Sequence, residues 1–80
     1  MKVEGNPDFE VVGFSDKRYE KLTIEIQYKG EPVAQINQDK GVDNLELEIF
    51  ADLNSTILKV PFIGFLEALN LAKDSMLSYG

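Results

Sequence analysis

Two stretches of this chain alternate residue by residue, and that alternation limits the fold more than any other feature. Leu22, Ile24, Ile26 and Tyr28 take turns with Thr23, Glu25 and Gln27, and Leu45, Leu47 and Ile49 with Glu46 and Glu48. Successive side chains of a strand point to opposite faces, so the pattern specifies half-buried strands with one apolar face and one wet, acidic face. Phe62, Phe65, Leu66, Leu69 and Met76 recur at helical spacing, which supplies a cover for the apolar face.

Residues 1–7 read as a flexible polar lead-in closed by Asn6-Pro7, and Asp8 to Phe14 as a first strand. Ser15-Asp16-Lys17-Arg18 is a turn cluster, Tyr19 to Lys29 the second strand, Val33 to Gln38 the third and Leu45 to Phe50 the fourth. A slip of one residue would turn every side chain to the wrong face, so the loop lengths can be checked against the apolar pattern. A loop from Lys29 to Glu31 pairs Tyr28 with Pro32, Ile26 with Ala34 and Ile24 with Ile36. A loop from Asp39 to Val42 then pairs Ile36 with Leu45 and Ala34 with Leu47. Pro32 has no amide hydrogen for the ladder and belongs at the start of its strand.

Asp52 to Thr56 is a loop, and Ile57 to Val60 is either a short fifth strand or a buried approach to the helix. The helix is expected from about Pro61 to about Ser78, with Pro61 in the first turn, where a missing amide hydrogen has no partner to lose. Gly64 costs on the order of 1 kcal/mol inside a helix relative to alanine and implies a close approach to the sheet. The expected class is α+β: a four- to five-stranded antiparallel meander packed on one C-terminal helix, as a single domain over 1–80.

Composition narrows the chemistry. At 80 residues, burial only narrowly offsets conformational entropy, while 44% hydrophobic and 28% charged residues argue against disorder. The absence of cysteine removes disulfides, zinc-thiolate sites and thiol nucleophiles, and fits a cytoplasmic location. The absence of histidine removes the commonest general base and transition-metal ligand. Met1 to Pro7 lacks the apolar run of a signal peptide, and no stretch approaches the roughly 20 apolar residues of a membrane span. A net charge of −6 disfavours nucleic acid and anionic membrane and favours a basic protein partner.

Phosphate-cradling glycine motifs are missing, so nucleotide chemistry is not expected. Asp39 to Asn44 lacks the alternate-residue ligand spacing of a calcium loop and reads as a hairpin turn. Asn54-Ser55-Thr56 fits a glycosylation acceptor, which matters only in a secreted chain. The carboxylates on the strands are flanked by amides rather than by an apolar pocket that would raise a pKa. No enzyme, cofactor or metal is therefore expected.

The remaining candidate is a surface. The registers above place Glu25, Gln35 and Glu46 in one row, Thr23, Asn37 and Asn44 in the next, and Gln27, Val33 and Glu48 in another. Between Asp39 and Asp52 the acids Asp39, Asp43, Glu46, Glu48 and Asp52 stand against a single base, Lys40. Such a face is either simply solvated or a docking surface whose field speeds and selects a basic partner. In the second reading Glu25, Gln35, Glu46 and Glu48 offer rigid acceptors to lysine and arginine, and Asp39 and Asp43 extend the field from the turn. On the helix, Ile63 and Leu71 fall away from the aromatic stripe, either as scattered exposed residues or as a small association patch.

Gly30 to Gly41, continued by Asp43 to Phe50, and the later Phe65 to Lys73 resemble a group of short acidic bacterial proteins. Through them the chain is similar to immunity proteins of polymorphic toxin systems, over roughly residues 20–78. The resemblance implies a non-enzymatic protein that neutralises a cognate toxin by binding it, and a protein that exists to meet a different partner is expected as a monomer or weak homodimer. It transfers no active-site residue. The alternative is a structural or adaptor module that self-associates through the helix or a free sheet edge.

Overall fold

The computed structural model describes residues 2–50 and 59–79. Strands β1 (Lys2–Val3), β2 (Asn6–Phe14), β3 (Thr23–Tyr28), β4 (Glu31–Asn37) and β5 (Glu46–Ile49) form one antiparallel sheet in the order β1-β2-β3-β4-β5. Helix α1 (Phe62–Tyr79) packs chiefly on β2 and β3, with β1 beside them. The class is α+β, a five-stranded meander with one C-terminal helix. The expectations for Asp52 to Thr56, for Asn54 and for Ile57 and Leu58 lie outside the described residues.

The lead-in is part of the sheet. Val3 pairs with Asn6 and is 5% exposed, and Gly5 takes φ 81° in the turn between them. Only glycine enters that region without strain, so a Glu4-Gly5 turn after one apolar residue is enough to fold the chain back.

The β3–β4 pairing has Ile24 opposite Ile36, Glu25 opposite Gln35 and Ile26 opposite Ala34, as the apolar pattern requires. The turn differs from the expected loop. Tyr28 pairs with Glu31, leaving Lys29 and Gly30 at φ 51° and 83° as a tight turn, and the ladder shifts by one residue beyond Ile26. Two positive φ values match the twist of the flanking strands, and the bulge absorbs the extra residue. Pro32 sits near the start of β4, next to that irregularity.

The β4–β5 pairing slips by two residues from its expected position: Ile36 faces Leu47 and Ala34 faces Ile49, rather than Leu45 and Leu47. Gly41 accepts at its carbonyl from the Asn44 amide, and Val42–Asn44 form a 3₁₀ turn that consumes the intervening chain. A shift of two preserves the faces. It also changes which residues are covered: Leu45 is partly buried, but Leu47 and Ile49, on the sheet's apolar face, are 47% and 60% exposed. Leu47 is therefore not under the helix as expected, whereas Ile24, Ile26 and Ile36 are buried.

The helix faces the sheet with part of the expected stripe, Phe65, Leu69 and Met76, and with small residues beside it. Gly64, Ala68, Ala72 and Met76, four residues apart, are buried, with Phe65, Leu69 and Leu71 packed beside them. Phe62 and Leu66, expected in the core, are 72% and 41% exposed; Ile63 is exposed as expected, whereas Leu71, expected to fall away from the stripe, packs against the core. Small residues win the contact because they let the helix axis come close. A Cβ on Gly64 would lie 2.8 Å from the Phe9 ring and 2.9 Å from Asn6 Oδ1. Phe9 fills that approach, 4.8 Å from the Tyr28 ring centroid and 6.1 Å from that of Phe65.

Candidate functional site

The opposite face of the sheet carries the polar row. Val12 pairs with Glu25, Glu25 with Gln35 and Gln35 with Glu48, so Glu48 takes the place expected for Glu46. In the neighbouring row Phe14 faces Thr23, and Asn37 faces Glu46 in place of Asn44. The reason is the two-residue slip of β5 just described.

This face is not simply wet. Thr23, Gln35, Asn37 and Gln38 are buried, at 4% exposure or less. Residues 15–22, which connect β2 to β3, reach across to β4 and β5. The chain was expected to extend as a strand from Tyr19, but β3 begins only at Thr23. The connection starts as a tight turn: Asp16 accepts at its carbonyl from the Tyr19 amide at 3.0 Å and at Oδ1 from the Arg18 amide at 2.9 Å. An aspartate at the first position of a turn captures backbone amides in this way.

That turn aims two side chains at Glu48. Tyr19 donates its hydroxyl to Glu48 Oε2 at 2.7 Å, and an Arg18 guanidinium nitrogen lies 3.3 Å from Glu48 Oε1. Arg18 also grips Asp16, with the shortest bond at 2.7 Å. From below, Gln35 Nε2 donates to Asp16 Oδ2 and to Glu48 Oε2, both at 3.1 Å, and Asn37 Nδ2 donates to Glu48 Oε2 at 3.2 Å. The Gln35 amide thus spends its two hydrogens on two carboxylates. Thr23 donates to the Phe14 carbonyl at 2.8 Å and lies 3.4 Å from Gln35 Oε1, closing the network from β3.

Electrostatics follow from these contacts. The Arg18 side chain and backbone amide, with Gln35, hold the Asp16 carboxyl well below the usual carboxylate range. Asp16 in turn raises Arg18. Burial pushes Glu48 up, but the bonds from Tyr19, Asn37 and Gln35, together with the Arg18 charge, outweigh it and hold the group below its ordinary value. The bond to Glu48, and secondarily burial, raises the Tyr19 hydroxyl. Both carboxylates are therefore ionised at neutral pH, and they share the one cation Arg18 while neutral donors take the rest of their bonds.

The six residues expected to meet a partner divide accordingly. Gln35 is 1% exposed and is a strut of the network, not a surface acceptor, and Glu48 is bound to Arg18 and Tyr19. Glu25 is partly exposed and accepts from Gln27 at 2.7 Å. Asp39, Asp43 and Glu46 are exposed, with Lys40 3.1 Å from Glu46. What the sequence reading missed is Asp16, Arg18 and Tyr19. The available signal was a pair of amides, Gln35 and Asn37, alternating with apolar residues in the middle of the sheet, where an open face more often carries charges. Among the described residues, no group of three or more acidic side chains is placed to hold a metal ion, and no helix is long and apolar enough to cross a membrane.

No protein-family model, no curated protein and no solved structure matches the chain.

Proposed function

We propose that this chain is a non-enzymatic, cytoplasmic protein-binding domain of the immunity type, which docks a basic toxin or effector domain through the acidic end of its sheet. The observation that supports it most is the corner formed by the β4–β5 connection and the start of β5. Asp39, Asp43 and Glu46 are exposed there, Lys40 is the one cation among them, and the chain as a whole carries −6. Glu25 adds a carboxylate from the rigid interior of the sheet. Carboxylates on fixed backbone accept from lysine and arginine with only side-chain rotamers left to order, and a field of one sign speeds encounter with the opposite sign.

The test pairs Glu25→Lys with Glu46→Lys. A partner is captured with the chain as bait, purified, and titrated against wild type and the double variant at low and moderate salt. Surface substitutions of this kind change stability by about 0.5 kcal/mol or less, so the fold should persist. The affinity is expected to fall by about tenfold or more at low salt, with the difference shrinking as exposed charges are screened beyond about 10 Å at 0.1 M. An affinity that ignores both the charge reversal and the salt would refute the acidic-corner reading.

A second reading is supported by the apolar side. Leu47, Ile49, Phe62 and Ile63 are all at least 47% exposed, which favours a self-associating adaptor module. Sedimentation across a concentration range separates the two. Docking to a different protein predicts mainly monomer, whereas a tight dimer dissolved by Ile49→Asp or Ile63→Asp, with the fold retained, would put self-association first.

A further inference from the structure

The sheet has two covers, and they are held by opposite physics. Helix α1 lies on Phe9, Ile24 and Ile26 and cannot lift without exposing apolar surface. Residues 15–22 lie on Gln35, Asn37 and Glu48, and the bonds that hold Asp16, Arg18 and Tyr19 to the sheet are polar. When such a segment lifts, the amides and carboxylates beneath it exchange protein partners for water, so little is lost beyond the bonds themselves. Segments with few buried apolar contacts are the ones that open locally, far below the free energy of global unfolding.

Apart from the bond that Gln38 Nε2 donates to the Leu22 carbonyl at the far end of the segment, the bonds centre on one residue. Glu48 stands on β5, two strands away from β3, where the connection ends. Its Oε2 accepts from Tyr19, Gln35 and Asn37, and its Oε1 faces Arg18. Gln35 ties the same carboxylate to Asp16. Within the turn the Arg18 and Tyr19 amides donate to Asp16, bonds that so short a turn does not hold once its anchors to the sheet release, so these two amides report the opening.

We infer that residues 15–22 form a strap that opens as a unit separate from the core, with Glu48 as its lock, and that its opening uncovers Gln35 and Glu48 for the basic partner. The second half of this inference rests on the docking reading above. In the closed state Arg18 occupies the position that a partner's arginine takes in the open one, so the strap is an intramolecular competitor for the sheet's own acceptors.

Tyr19→Phe tests this without changing charge, since it removes only the hydroxyl that reaches Glu48. Arg18→Ala is the second variant, compared with Lys17→Ala, which makes the same change of charge on the same strap without touching the lock. Amide hydrogen exchange is followed at Arg18 and Tyr19 and, as the core reference, at Ile24 and Ile26. Nona-arginine peptide serves as the basic probe in titrations of each protein at low salt. The expected result is exchange faster by about tenfold at the strap amides in Tyr19→Phe and Arg18→Ala, with the core amides unchanged. Both variants should also bind the peptide several-fold more tightly than their controls, wild type and Lys17→Ala. Strap amides that exchange no faster, or that speed up only together with Ile24 and Ile26, would overturn the separate strap. Faster strap exchange with no gain in peptide affinity over the matched control would overturn its role as a competitor. Failure of the docking reading shows elsewhere, as binding of a partner that is indifferent to Glu25→Lys, Glu46→Lys and salt.

Discussion

Replacing Gly64 by alanine sets two opposing effects against each other, and the structure decides which wins. In an exposed helix interior the substitution is favourable by about 1 kcal/mol, because glycine gives up more backbone entropy than alanine on folding. At this site the new Cβ would lie 2.8 Å from the Phe9 ring and 2.9 Å from Asn6 Oδ1. Asn6 is partly exposed and its amide reaches out to Glu67 at 2.8 Å, so it has room to turn. Phe9 does not: it is 1% exposed and wedged between Tyr28 and Phe65. Overpacking a closed core costs roughly 1 to 3 kcal/mol, which exceeds the propensity gain over most of its range. The net expectation is a loss of about 1 kcal/mol, or a fall in melting temperature of about 4 to 8 °C for a domain of this size. Urea titration followed by circular dichroism measures it, with Asn70→Ala as the exposed control on the same helix, expected to gain a few tenths of a kcal/mol. A Gly64→Ala variant stabilised as much as propensity alone demands would refute the close approach of α1 to Phe9.

The same helix provides a paired test, in which Met76→Ala, at 0% exposure, should cost about 2 to 5 kcal/mol and Phe62→Ala, at 72%, about 0.5 kcal/mol or less. Equal losses in denaturant titration would mean that the stripe expected from spacing, not the observed one, faces the sheet. For the polar network, Asp16 and Glu48 both have lowered pKa values, so their stabilisation is complete above the ordinary carboxylate range near about 4 and is lost as pH falls through the lower folded values. An acid titration followed by the Tyr19 ring resonances should therefore show the strap intact at pH 5 and released well below pH 4, and release near neutrality would contradict the assigned bonds. Val3→Asp should destabilise the domain measurably, since Val3 is 5% exposed; a neutral outcome would return residues 2 and 3 to a loose lead-in.

The parts of the fold that were legible and those that were not differ in what specifies them. Ile24 opposite Ile36 was readable because a one-residue error there would put Glu25 into the core. The position of β5 was not, because a pattern of period two cannot distinguish Leu45 from Leu47 opposite Ile36. The helix was located to within a residue and Phe65, Leu69 and Met76 were placed on its inner side, but the rest of that face was missed because hydrophobic weight favours Phe62 and Leu66 over Gly64, Ala68 and Ala72. Closeness of approach, which small residues provide, carries no weight on such a scale. At the candidate site Asp39, Asp43 and Glu46 are exposed as their pattern suggested, while Gln35 and Glu48 are claimed by Asp16 and Arg18, which read only as a polar turn, and by Tyr19, which read as the start of a strand. That turn's role depends on where a long connection lands, a tertiary property that the turn residues do not encode alone.

The central structural claim is that the connection between β2 and β3 closes over the polar face of the sheet and is fastened to Glu48. Proton NMR cross-relaxation from the Tyr19 ring addresses it most directly, because the hydroxyl of that ring lies 2.7 Å from Glu48 Oε2 and the Asn37 amide converges on the same oxygen. The account predicts cross-peaks from the Tyr19 ring protons to the side chains of Glu48 and Asn37 at neutral pH. A Tyr19 ring with cross-peaks only to its own turn would contradict it.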